Sequence, residues 1–303
     1  MYRQILINPN HADFQRIVWR FKPNESVQDF RLTTVTYGTA SAAYLATRAL
    51  NQVAIDEGNI DLEAKRKILN DFYVDDLLSG ASSIEEARRI IDSIKAILSK
   101  GGFPIRKWSS NKPECLKHLC ESDLNVVNVN ANDEIINKTL GIIWNPKSDT
   151  FEFKIKLDWK PVELTKREVL SRLASIYDPV GWLAPVILPC KLILQRMWRL
   201  SGGWDDPVPL VFSLEWKRTY TALSYIEQIK LPRWYQTSDE AHIELHGFAD
   251  ASEKAYAGVV YLRVKTLNGA HVSLIAAKTR VASLKVMTLP RLELCVALLT
   301  ANF

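Results

Sequence analysis

Asp71-Phe72-Tyr73-Val74-Asp75-Asp76 is the stretch on which the reading of this chain turns. Phe72, Tyr73 and Val74 form a short strand of alternating character that runs straight into two adjacent carboxylates. Like charges side by side repel and raise each other's pKa. A divalent cation relieves that repulsion, and carboxylate oxygens suit Mg²⁺, which keeps waters and substrate phosphates in its shell. An Asp-Asp pair is also a common surface turn, and Asp205-Asp206 reads as one. Asp75-Asp76 differs in its context: an apolar-aromatic strand before it and a capped helix after it.

Working outward, Ser83 stands three residues before Glu86, the spacing of a capping box. Ala87, Ile91, Ile94 and Leu98 follow at helical spacing, Glu85 is placed to pair with Arg89, and Lys100-Gly101-Gly102 ends the helix. Strands are expected at Ile105–Trp108 and Leu140–Trp144, and the turn from Asn145 to Asp149 leads into another at Phe151–Ile155. Upstream, Ile5–Ile7 and Phe14–Phe21 read as strands around the turn Asn8-Pro9-Asn10, and residues 40–57 as an Ala-rich helix.

Composition changes near residue 160. Thr165 and Glu168 form a second capping box before Val169, Leu170, Leu173 and Ile176, and Asp178-Pro179-Val180-Gly181 breaks that helix. Two more helices are expected near 185–200 and 213–229. From about residue 242 the pattern changes again, with strands at Ile243–Phe248, Ala257–Val264 and Val272–Ala277. A helix then opens after Leu289-Pro290 and carries Leu292, Val296 and Leu299.

A length of 303 residues allows two or three domains, and 47% hydrophobic with 24% charged residues is the balance of a globular protein. The net charge of +5 is compatible with a polyanionic partner without requiring one. No apolar run approaches a membrane span of about 18 residues. Four cysteines are too few for a disulfide framework, and Cys115, His118 and Cys120 lack a nearby fourth zinc ligand, so the cysteines read as ordinary thiols. Aspartic-peptidase chemistry needs an Asp-Thr/Ser-Gly turn; Asp149-Thr150 is followed by Phe151.

Tyr73-Val74-Asp75-Asp76 resembles the aspartate box of reverse transcriptases, and its surroundings are similar to the Bel/Pao class of long-terminal-repeat retrotransposon polyproteins over nearly the whole chain. Met1-Tyr2-Arg3-Gln4-Ile5 resembles the stretch after that family's first catalytic aspartate, which is expected four residues ahead of Met1. The resemblance implies that Asp75 and Asp76 are catalytic metal carboxylates, with Lys107 near the leaving phosphate. It gives nucleotide-binding roles to Tyr2, Tyr37, Gly38 and Tyr73, although Ala42-Ala43 stands where the family often has Ser-Pro. Trp144 would belong to the hairpin that grips the primer. Lys166 and Arg167, with Lys191 and Arg196, would meet phosphates from a thumb-like segment; a solvated helix face accounts for the same cations. Gly247-Phe248-Ala249-Asp250 resembles the first strand of ribonuclease H, and Leu289-Pro290-Arg291-Leu292-Glu293 the helix bearing its second carboxylate, so Asp250 and Glu293 are the expected catalytic and metal residues there.

The implied fold is α+β: a partial reverse-transcriptase palm at 1–158, a helical thumb- or connection-like region at 159–238, and a truncated ribonuclease H-like α/β domain at 239–303. The implied activity is RNA-directed DNA polymerisation with ribonuclease H, using Mg²⁺ for two-metal nucleotidyl transfer in the parent polyprotein. The chain by itself is expected to be inactive, since each catalytic centre lacks carboxylates. Implied partners are RNA template, DNA primer, RNA–DNA hybrid, deoxynucleotides and the rest of the polyprotein, with no membrane, in a cytoplasmic particle or the nucleus. The alternative is a non-catalytic nucleic-acid-binding or interaction remnant.

Overall fold

The computed structural model describes residues 1–125, 137–139, 142–155, 163–238, 240–267 and 269–303. It forms two compact units, Met1–Ile135 and Ile136–Phe303, and the architecture is α+β.

In the first unit, β1 (Arg16–Trp19) pairs antiparallel with β2 (Gln28–Arg31). Helix α1 (Ala42–Glu57) follows, then α2 (Leu62–Asn70), whose start is capped by the Asp61 carboxylate accepting from the Glu63 and Ala64 N–H groups at 3.0 and 3.1 Å. Strands β3 (Phe72–Tyr73) and β4 (Asp76–Leu77) form a tight hairpin ahead of α3 (Ile84–Lys100). The helices close around Leu50, Ile68, Ile90, Ile94, Ile97 and Leu98. Ser83 caps α3 by accepting from Glu86 N–H at 3.1 Å, and Gly102, at φ 74°, stands just past its end.

Three local expectations need correction. Ile5–Ile7 makes only one bridge, Leu6 with Thr34, because a 3₁₀ turn at Tyr2–Gln4 leads into it and Pro9 opens another. Ile105–Trp108 is not a strand: Lys107 has φ 61°, which breaks the extended run and leaves one bridge, Trp108 with Leu124. Arg89 turns from Glu85 to Asp61 and Glu63, across to the start of α2. Helix α2 itself was not anticipated, since its apolar positions are few.

In the second unit, β5 (Asn137–Thr139), β6 (Ile142–Asn145), β7 (Thr150–Glu152) and β8 (Lys230–Pro232) form an antiparallel sheet in that order; Leu140 and Gly141 lie outside the described residues. Helices α4 (Lys166–Ala174), α5 (Ala184–Met197) and α6 (Leu210–Ala222) enclose Val169, Leu183, Cys190, Met197, Trp216 and Leu223. Burial pushes the Cys190 thiol up to about 11, leaving it an inert core group. A second sheet has the order β11 (Gly269–Val281), β10 (Ala255–Thr266), β9 (His242–Ala251), all antiparallel. Helix α7 (Leu289–Ala301) packs on β9 and β10 through Leu292 and Val296, and α5 packs on β11.

Candidate functional site

The hairpin at Asp75-Asp76 is built by its turn. Tyr73 and Asp76 are paired, which leaves Val74 and Asp75 as the two turn residues. Such loops favour turns with a positive φ at the first position, a place for Asn or Gly. Here Val74 takes φ 58°, a strained conformation for a β-branched residue. The turn leaves both carboxylates exposed.

Partial burial and the charge of Asp75 raise the Asp76 carboxyl above its ordinary value, while Lys107 pulls it down. The hairpin and Lys107 therefore share one electrostatic site. The segments carrying Tyr2, the hairpin and Lys107 anchor on one core, through Met1 and Ile5, Phe72 and Leu77, and Ile105 and Trp108. Tyr2 is half-buried, and Tyr73 and Tyr37 are exposed. Gly38 sits at φ 90° in the turn before α1, with open space where a side chain would be.

In the second unit Trp144 is held rather than free. Its indole N–H donates to Asp149 Oδ1 at 3.0 Å, and Arg233 binds the same carboxylate through two N–H groups at 2.6 and 2.9 Å. The guanidinium also lies over the Trp144 ring, 5.7 Å from its centroid. The sequence marked Asp149 only as a turn residue, and Arg233 not at all. Arg233 is 84 residues from its carboxylate, a distance no local pattern spans.

The four cations expected to meet phosphates from the helical region are engaged by the protein itself. Lys166 is buried, and its ammonium donates to the carbonyls of Leu200 and Gly202 at 2.9 and 3.0 Å. Arg167 grips Asp205 through two hydrogen bonds at 2.6 and 3.0 Å. Lys191 reaches Thr279 on β11, and Arg196 pairs with Glu215. A phosphate contact from any of them requires exchanging these partners.

Asp250 lies near the end of β9 and Glu293 in the first half of α7, the helix packed on that strand; both side chains are exposed. The elements expected to carry the two carboxylates are thus adjacent. Among the described residues no group of three or more His, Cys, Asp or Glu side chains is arranged to hold a metal ion. Nor is any described helix long and apolar enough to cross a membrane.

Trp182 joins the helices to the second sheet. Its indole N–H donates to Ile275 O at 2.9 Å, Ala277 N–H donates to Val180 O at 2.8 Å, and its ring stacks on Phe151 at 5.1 Å. A single packed body therefore includes α4 to α6, the three-stranded sheet and α7. No curated protein matches the chain. Residues 165–303, which cover that body, match the family model of the Pao retrotransposon-like RNaseH-like domain. The match supports a Pao-class retrotransposon polyprotein region with a ribonuclease H-like domain over residues 165–303.

Proposed function

We propose that this chain is the polymerase and ribonuclease H region of a retroelement polyprotein, acting on primed RNA template, RNA–DNA hybrid and deoxynucleotides. The observations that carry the reading are the hairpin that presents Asp75 and Asp76, anchored on the same core as the segment bearing Lys107, and the ribonuclease H-like family match downstream. The proposed functional segments are a palm at 1–158, a thumb-like region at 159–238 and a nuclease domain at 239–303. The hairpin β6–β7 belongs with the palm in this reading by its motif, although it pairs with β8 in the fold.

Two adjacent carboxylates, one raised by partial burial and by its neighbour, are a donor set that a hard divalent cation suits. Asp75 and Asp76 would hold Mg²⁺ in the palm, and Asp250 and Glu293 in the nuclease. The cation would supply charge neutralisation for phosphoryl transfer. Lys107 contributes a fixed positive charge beside Asp76, where a leaving phosphate gains from it. Tyr2, Tyr37, Gly38 and Tyr73 would form the nucleotide pocket, with Trp144 contacting the primer strand.

A second reading is a non-catalytic nucleic-acid-binding remnant, which the ribonuclease H-like family match supports equally well. Primer extension with Mg²⁺ on a primed RNA template, measured on the parent polyprotein, separates the two. If Asp76 serves catalysis, extension falls by about two orders of magnitude in Asp76→Asn, the loss of about 3 kcal/mol of transition-state stabilisation. Hybrid binding without extension, unchanged in Asp76→Asn, supports the remnant.

A further inference from the structure

The hairpin that presents Asp75 and Asp76 is too short to fix its own direction. Each strand has two residues, paired as Phe72 with Leu77 and Tyr73 with Asp76, and the turn carries the strain of Val74 at φ 58°. An isolated two-stranded hairpin is at best marginally stable in water. Phe72 and Leu77 pack against the core, but apolar contact is non-directional and does not set the tilt of the strands.

The end of α2 supplies the direction. Asp71, the residue after that helix, extends the ladder by one rung, since its carbonyl accepts from Leu78 N–H at 3.0 Å. Its carboxylate Oδ2 accepts from the Ser79 hydroxyl at 2.6 Å. One turn back in the helix, the Lys67 ammonium donates to Gly80 O at 2.6 Å. Asp71 N–H donates to Lys67 O at 2.8 Å, so the two residues that grip the return strand are tied to each other. Leu78, Ser79 and Gly80 are thereby fastened, one after another, to the last turn of one helix.

Lys67 is 8% exposed although it carries a charge. Burying an ammonium is costly, and lysine is almost never buried unless it is paired. Here the acceptor is a neutral loop carbonyl. An apolar side chain of similar volume would fill the space at lower cost, so what the lysine adds is a directed bond to the strand that leaves the carboxylates.

On the palm reading given above, we propose that Lys67 and Asp71 are positioning residues for the Asp75-Asp76 pair. They touch neither cation nor substrate; they clamp the base of the hairpin so that its tip presents both carboxylates to a divalent cation. Misplacement by about 1 Å is enough to cost a reaction about a hundredfold, and the lever between clamp and tip is only a few residues long.

The test compares Lys67→Met, Asp71→Ala, Ser79→Ala and Asp71→Asn, the last of which keeps an oxygen for the Ser79 hydroxyl while removing the charge. In the parent polyprotein, extension on a primed RNA template is followed over a range of Mg²⁺ and nucleotide concentrations. Lys67→Met and Asp71→Ala are expected to lower kcat and to raise the Mg²⁺ needed for half-maximal extension by about tenfold, with the nucleotide KM within about twofold. Ser79→Ala, at an exposed position, deletes the same bond as Asp71→Ala and should shift the Mg²⁺ dependence in the same direction. Asp71→Asn should stay within about twofold of wild type. Hydrogen exchange of the 303-residue chain in EDTA reads the clamp without metal: the Leu78 amide should lose protection in Lys67→Met and Asp71→Ala while the amides of α2 and α3 keep theirs. Wild-type Mg²⁺ dependence in Lys67→Met, Asp71→Ala and Ser79→Ala overturns the positioning roles and leaves the palm reading standing. Protection lost throughout α2 and α3, with Ser79→Ala unchanged from wild type, reduces both residues to parts of the fold and also overturns them. A loss in Asp71→Asn equal to that in Asp71→Ala makes the Asp71 charge itself the working part, against the clamp. A wild-type parent that extends no primer overturns the palm reading and the positioning roles together.

Discussion

Val74 shows how one residue can hold two opposed demands. Its branched side chain suits the strand that sequence periodicity anticipates, yet the turn gives it φ 58°. That conformation costs about 1–2 kcal/mol in an L-residue, while glycine adopts it freely and loses about 0.5–1 kcal/mol through its more flexible unfolded chain. Val74→Gly is therefore expected to leave stability unchanged or raise it by up to about 1 kcal/mol, measured by denaturant unfolding. A fall of about 1 kcal/mol or more would show that contacts of the valine side chain outweigh the strain. Such strain cannot be read from the sequence, because it depends on Tyr73 pairing with Asp76.

Among the elements, helix starts were the most legible. Both capping boxes form at their first bond: Ser83 accepts from Glu86 N–H, and Thr165 from Glu168 N–H. Their return bonds differ, since Glu86 accepts from Ser82 N–H and Glu168 turns to Arg172. The start of α2 went unread because its apolar positions are few, although its cap, Asp61, is local; the same carboxylate also holds residues far along the chain, with Ser93 donating to it at 2.9 Å and Arg89 pairing with it. Burial pushes the Asp61 carboxyl up, but the Ala64 N–H, Ser93 and Arg89 outweigh it and hold it below the usual range. A carboxyl depressed on folding contributes stability above its unfolded pKa and loses it as pH falls through the lower, folded value. Asp61→Ala is expected to destabilise the first unit by about 1–3 kcal/mol near neutral pH, with the difference from wild type shrinking as the solution is acidified below about pH 4. Urea titrations across pH check it; a difference independent of pH would remove the charge from the account.

At the scale of the molecule, the joint between helices and second sheet rests on a glycine. Gly181 has φ 77°, and a Cβ there would fall 1.6 Å from Ala277 O. Gly181→Ala is expected to cost the second unit at least about 2 kcal/mol, from the unfavourable φ and the displaced backbone together. Hydrogen exchange reads it directly, through lost protection of the Ala277 amide, which donates to Val180. Protection retained at wild-type level would mean the loop docks on β11 by another route. The sequence marked Asp178-Pro179-Val180-Gly181 as a helix breaker, and it does separate α4 from α5. It did not disclose that the same four residues seal a sheet edge about a hundred positions later. By itself the sequence determined most element types, most helix starts, the paired carboxylates and the α+β class, because spacing, capping and charge adjacency act within a few residues. Only the tertiary structure decided that Lys107 acts on Asp76, that Lys166 and Arg167 are occupied within the protein, that Arg233 pins Trp144, and that α4 to α6 pack with the second sheet. Each of these contacts joins residues with no pattern linking them along the chain, and the physical reason they form is the burial and polar pairing that only the folded backbone brings within reach.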